Sequence, residues 1–305
     1  MKNKLTGSQV IVPMASPFNA GHYIDEAAVS GICAMFVRAG VSVFALGTTG
    51  EGDSMSQEQR NTLLQLVVKE VNGRSKIYAG LTGNSLSESV KDARKFADMG
   101  ADYLVAKLPA YYPMDENQML RYFEQLVDKV TLPMFIYNIP VTTHHSIPLQ
   151  VIDRLSHHPH IAGLKDSEQN QMRLDESIRL WGEREDFDFL IGWNAMSAYG
   201  LLKGANGIVP STGNICPEWY VHLIESVRAG DEEMVMQIQE KTNRISALYQ
   251  KGRILSYSIP ALKIMMKNKG LCSGEVLPPM IPMTFNEEEI FSSEVKIEWE
   301  KLNFK

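Results

Sequence analysis

The chain has 305 residues, of which 44% are hydrophobic and 22% charged, with a formal net charge of −6. That length suits one large α/β domain or two ordinary ones, and scattered charge of both signs leaves no basic stripe for nucleic acid. Three cysteines far apart (Cys33, Cys216 and Cys272) form no CxxC pair and argue against a disulfide framework, and no apolar run nears the roughly 18 residues of a membrane helix.

The start, MKNKLTGSQVIVPMASPF, has no signal-peptide core, and Pro13 and Pro17 interrupt it, so the sequence predicts a cytoplasmic protein. VIVPMASPF (10–18) reads as the first strand. IDEAAVSGICAMFVRAG follows as a helix opened by Asp25 and stopped by Gly40. VSVFALGT (41–48) is the second strand, and the next helix is capped by Ser56 and ended by Gly73. KIYAGLTG (76–83) precedes a helix capped by Ser87 and stopped by Gly100, and DYLVAKLP (102–109) precedes one that starts at Asp115. PMFIYNIP (133–140), IAGLKDS (161–167), FDFLIGW (187–193) and GIVPST (207–212) complete the set. Their hydrophobicity is continuous rather than alternating, which is the pattern of parallel strands covered on both faces.

Eight strand–helix units, roughly 25–30 residues apart, outline a (β/α)8 TIM barrel. A doubly wound sheet would carry an early G-x-G-x-x-G, and none is present. Residues 1–228 are assigned to the barrel and 229–305 to a C-terminal helical extension that contains the proline-rich, extended linker EVLPPMIPM.

Strand C-termini line one mouth of such a barrel, and three of them carry chemistry. The sixth run ends in Lys165. An ordinary lysine, with a pKa of about 10.4, is a poor nucleophile at neutral pH, whereas burial favours the neutral amine that attacks ketones. A lysine paired with Asp166 or reaching solvent is the plain alternative, and Lys107 is a rival in similar surroundings. The second run ends in GTTGEG (47–52), whose glycines, threonine hydroxyls and following helix would make a small anion site suited to a carboxylate. The fifth ends in YNIP, where Tyr137 reads as a proton carrier or as a core tyrosine with its hydroxyl bonded.

GTTGE, YNIP and GLKDS, with the Pro-x-Tyr-Tyr segment after the fourth strand and the helical tail, resemble the dihydrodipicolinate synthase / N-acetylneuraminate lyase family of class I pyruvate-dependent aldolases. The resemblance implies a barrel with a helical extension, assembled as a homotetramer, a dimer of dimers. Lys165 would form the Schiff base with pyruvate or another 2-keto acid, with no cofactor beyond that covalent imine and no metal. Tyr137 would be the acid/base, relayed by Thr48 and completed across a subunit interface by Tyr111, with Tyr112 as the alternative one residue on. Gly47, Thr48 and Thr49 would bind the keto-acid carboxylate. Gly192 and Val209 would line the pocket.

Two departures bear on the second substrate. The synthases' arginine after YN-x-P, which grips aspartate semialdehyde, is Thr142 here, and a hydroxyl does not replace a bidentate clamp. The sialic acid lyases' Asp–Glu pair after the seventh-strand glycine is Asn194 and Ala195. Thr142, Thr143, His144 and His145 would face the aldehyde half and suit a polyhydroxylated chain. The expected activity is cleavage or condensation of pyruvate with an aldehyde, with a 2-keto-3-deoxy sugar acid as the combined substrate. The alternatives are dihydrodipicolinate synthase or N-acetylneuraminate lyase proper, a Schiff-base sugar-acid dehydratase, and a non-enzymatic keto-acid sensor.

Overall fold

A computed structural model describes residues 9–303; the amino-terminal segment read above for a leader, through Ser8, and the last residues of the extension, 304–305, lie outside them. Eight strands, β1 (Gln9–Pro13), β2 (Ser42–Ala45), β3 (Ile77–Leu81), β4 (Tyr103–Lys107), β5 (Met134–Asn138), β6 (Ile161–Asp166), β7 (Asp188–Ile191) and β8 (Gly207–Ile208), pair in sequence order and close into a parallel barrel. Around them run α1 (Glu26–Ala39), α2 (Gln57–Val71), α3 (Leu86–Met99), α4 (Glu116–Val127), α5 (Pro140–Thr143), α6 (Leu149–Leu155), α7 (Gln171–Trp181), α8 (Ser197–Lys203) and α9 (Pro217–Ala229). The extension adds α10 (Glu232–Gln250), α11 (Leu255–Asn268) and α12 (Phe285–Asn303).

Local chemistry sets the helix ends. Asp25 accepts the Ala28 N–H and Gly40 closes α1 at φ 72°. Ser56 and Gln59 form a reciprocal capping box on α2. That helix ends one residue before the glycine stop, on Asn72 in the left-handed conformation. The cap of α3 is Ser85 rather than Ser87: its hydroxyl accepts the Glu88 N–H, and the start two residues earlier lets Leu86 pack on the core.

Several strands stop short of their apolar runs. β8 is two residues long, and Ser211–Asn214 turns into a 3-10 helix. β5 ends before Pro140, which opens α5. α11 starts earlier than the IPALKIMM run, at Leu255, and keeps Pro260 inside its second turn. Inside the barrel, Ile11, Phe44, Tyr78, Val105, Phe135 and Leu190 fill one core, and a larger core lies between strands and helices. Strand alternation therefore gives each mouth-side residue a fixed choice, barrel interior or helix layer. No helix among the described residues is long and apolar enough to cross a membrane.

Candidate active site

β6 turns Lys165 into the barrel and Asp166 out to the helix layer. Asp166 is held there by Arg173 Nε of α7 at 2.6 Å, by Asn138 Nδ2 at 2.8 Å and by the Glu168 N–H at 2.9 Å, so it is not the partner of Lys165. Lys165 is 5% exposed, with its Nζ 3.8 Å from the centre of the Tyr137 ring and 4.6 Å from that of Phe44. This burial pulls the ammonium below the usual lysine value, although Tyr137 works partly against it. The rival Lys107 is committed elsewhere: its Nζ lies 3.0 Å from Asp53 Oδ1.

Tyr137 is the register partner of Lys165 on the neighbouring strand. Burial pushes its phenol up. The Lys165 charge and hydrogen bonds with Thr48, Ser167 and Lys165 outweigh that, and its pKa falls below the ordinary value. Burial disfavours the charged lysine, while a charged lysine favours the phenolate, so one proton can pass between amine and phenol, a pairing suited to nucleophilic addition followed by proton transfer.

Thr48 is brought to Tyr137 by a sharp turn. Leu46 adopts φ 62°, and Gly47 follows where a Cβ would lie 2.7 Å from the Phe44 ring. The turn closes through Glu51 N–H to Thr48 O at 3.1 Å and Gly52 N–H to Gly47 O at 3.2 Å. The Thr48 and Thr49 amides have no acceptor among the described residues, and both side chains are half-buried. The following helix contributes less than its sequence position implied. α2 begins only at Gln57, and the Ser56 hydroxyl takes an N–H of its first turn. Any donors this turn offers are therefore its own amides and hydroxyls rather than the end of α2.

Ser167 is the residue that sequence reasoning missed. Its hydroxyl reaches Tyr137, and its N–H is fixed by Asn138 O at 2.9 Å. A Cβ at Gly192 would lie 2.1 Å from Ser167 Oγ, so that glycine makes room for the serine. The signal was present in the quoted GLKDS string, one hydroxyl beyond the acid. Val209 is 3% exposed and packs in the same barrel-interior cluster as Tyr137.

The other predicted residues have partners of their own. Asn194 is buried, and its Oδ1 accepts the Tyr220 hydroxyl of α9 at 2.5 Å. Thr143 is buried and donates to Ile139 O at 3.0 Å. Thr142 is half-buried in the same turn, and His144 is exposed at its end with φ 61°. His145 Nε2 lies 3.0 Å from Tyr112 O. Tyr111 and Tyr112 are 74% and 72% exposed, and among the described residues neither is bonded to Tyr137.

This arrangement can be set beside known proteins. A sequence model described as the Dihydrodipicolinate synthetase family matches residues 6–298. A 4-hydroxy-tetrahydrodipicolinate synthase of Thermodesulfovibrio yellowstonii is 28% identical over 92% of this chain and 94% of its own. YagE of Escherichia coli, provisionally named a 2-dehydro-3-deoxy-D-gluconate aldolase, is 27% identical over 90% of this chain and 91% of its own. The crystal structure of YagE in complex with pyruvate superposes with a TM-score of 0.89 at 25% identity, covering 96% of this chain and 98% of that one. That of dihydrodipicolinate synthase from Bacteroides thetaiotaomicron gives 0.90 at 29% identity, covering 95% and 98%. The chain belongs to the dihydrodipicolinate synthase family, a pyruvate-dependent group whose members are class I lyases and aldolases.

Proposed function

We propose that this enzyme is an aldolase for a 2-keto-3-deoxy sugar acid, cleaving it to pyruvate and an aldehyde or running the reverse condensation. The observation that carries the reading is the contact between the buried Lys165 amine and Tyr137, with Thr48 beside them. The Lys165 amine adds to the keto carbon, water leaves, and a protonated imine forms. Tyr137 removes the proton from the substrate's C4 hydroxyl. The C3–C4 bond breaks, its electron pair flows into the imine, and the aldehyde departs. The enamine then takes a proton at C3, and water hydrolyses the imine to free Lys165 and pyruvate. No cofactor enters this scheme. The substrate carboxylate rests on the Thr48 and Thr49 amides and hydroxyls.

Thr142 supports a hydroxylated rather than a carboxylated aldehyde, because a threonine offers one donor where a clamp needs two parallel ones. The provisional name of YagE points the same way. The exposed Tyr111–Tyr112 pair, with ring centres 4.8 Å apart, supports an assembly in which one of these phenols reaches a neighbour's site in a homotetramer.

The test is product analysis with 2-keto-3-deoxy sugar acids, and with pyruvate plus a panel of hydroxyaldehydes and aspartate semialdehyde. Release of pyruvate from the sugar acids is expected. Loss of water without carbon–carbon cleavage would make the enzyme a dehydratase. Turnover of aspartate semialdehyde alone would make it a synthase, and binding without turnover would leave a keto-acid sensor.

A further inference from the structure

Glu51 directly follows the Gly47–Gly50 turn, yet its carboxylate faces away from solvent, with the residue 3% exposed and held at φ 58°. Its partner lies 212 positions along the chain, counting from 51 to 263: Lys263, in the middle of α11, forms an ion pair with Glu51 Oε1. The two side chains are 0% and 1% exposed. The other carboxylate oxygen accepts the Leu277 N–H at 2.7 Å, while Lys263 Nζ also donates to Glu275 O at 2.7 Å and sits 4.3 Å from the centre of the Phe18 ring. Ser273 Oγ donates to Phe18 O at 2.5 Å. Two separate pieces of the extension, α11 and residues 273–277, are thereby fastened to the loops that follow β1 and β2.

A buried ion pair contributes little net stability, because desolvation of both charges offsets their attraction; a well-packed apolar pair would serve a purely structural staple as well. An ion pair does two things that an apolar pair cannot. It fixes Glu51 in direction, and Glu51 carries the N–H that closes the turn onto Thr48 O. It also neutralises a carboxylate two residues from Thr49, where a bare negative charge would repel a substrate carboxylate.

We infer that Glu51 and Lys263 are positioning residues for the keto-acid carboxylate, so that the C-terminal extension takes part in substrate binding. This rests on the Schiff-base reading of Lys165. Neither residue touches the reacting atoms; both act through the Thr48–Thr49 amides.

The test is borohydride trapping of the full chain with pyruvate, reading the half-saturating pyruvate concentration and the maximal trapping rate separately, with thermal unfolding alongside. In Glu51→Gln and in Lys263→Met the half-saturating concentration is expected to rise at least tenfold, with a smaller change in maximal rate. The neutral double variant Glu51→Gln/Lys263→Met should recover part of the loss. Should the single variants not fold, Glu51→Asp and Lys263→Arg keep the charges and change only their reach, and a rise of severalfold is expected. Unchanged half-saturation in folded variants, or trapping reduced only in proportion to folded protein, overturns the inference. No adduct in the wild-type chain with pyruvate or any other 2-keto acid would instead overturn the Schiff-base reading itself.

Discussion

Tyr137 and Lys165 are register partners on adjacent parallel strands, and the lysine Nζ lies 3.8 Å from the centre of the tyrosine ring. In-register neighbours on a parallel sheet point to the same face, so the barrel's own hydrogen bonding aims both groups at one space. Borohydride reduction with pyruvate should therefore leave a pyruvyl mass on the peptide containing Lys165. Lys165→Ala should abolish it. Lys107→Ala should retain it, since Lys107 is occupied by Asp53. An adduct on Lys107 in the wild-type chain would contradict this assignment.

Tyr137→Phe separates imine formation from bond cleavage. In the proposed mechanism the phenol carries the proton for cleavage, so turnover should fall by about 10²–10⁴, the usual worth of a general acid–base. Imine formation should survive, with a shifted pH profile. Burial lowers the Lys165 pKa, and Tyr137 raises it partly back. Removing the phenol removes that opposing effect, so the Lys165 pKa drops further. The neutral amine then persists to lower pH, and the rise in trapping rate with pH should move to lower pH in the variant. A shift to higher pH would mean that the tyrosine does not stabilise the charged lysine.

Gly192→Ala tests the link from the end of β7 to the proposed acid/base. The new methyl would sit 2.1 Å from Ser167 Oγ, closer than any Cβ contact, so the serine must rotate or shift. Ser167 is one of three side chains that bond the Tyr137 hydroxyl. Activity should drop about 10-fold or more, in line with loss of one hydrogen bond to a charged group. Adding Ser167→Ala to Gly192→Ala should relieve the clash and cost little further activity. Strict additivity of the two losses, measured as a double-mutant cycle, would show that the residues act independently.

The strand–helix alternation made the barrel legible, because buried parallel strands are continuous apolar runs and helices such as α1, α2 and α4 open on their own side-chain caps. The ends were less legible. β8 is two residues long because the ladder passes into the Ser211–Asn214 turn, although its apolar run continues to Pro210. Lys165, Tyr137 and Thr48 could be read from strand-end position and motif, as each lies where its strand or turn opens on the mouth. Ser167 was visible only as a hydroxyl in GLKDS, since its contact with Tyr137 depends on the space left by Gly192, 25 positions later in the chain (192 less 167). Asn194 was matched to the pocket by its place after Gly192, but the local 3-10 turn directs its side chain to Tyr220 and the helix layer. Lys263 lay unremarked in an apolar helix, because a charge buried among methionines is explained only by its distant partner Glu51.

Thr142→Arg addresses the aldehyde half directly. Thr142 is half-buried in the short helix after β5, with its hydroxyl donating to Ile139 O at 3.3 Å, so a longer side chain there is not forced into a fully buried core position. An arginine there supplies two parallel donors and a fixed positive charge. For an aldehyde bearing a carboxylate, kcat/KM should rise about 10-fold or more, matching the roughly 1.5–3 kcal/mol of a hydrogen bond to a charged group. For the proposed sugar-acid substrate it should fall, because the guanidinium would occupy space and solvent that a hydroxylated chain would use. The comparison needs both substrates in each protein, since a general loss of activity would lower both values together. A rise for the carboxylated aldehyde with a fall for the hydroxylated one would assign the discrimination to position 142. Equal changes in both would place it elsewhere on the β5–β7 rim, with His144 the next position to test.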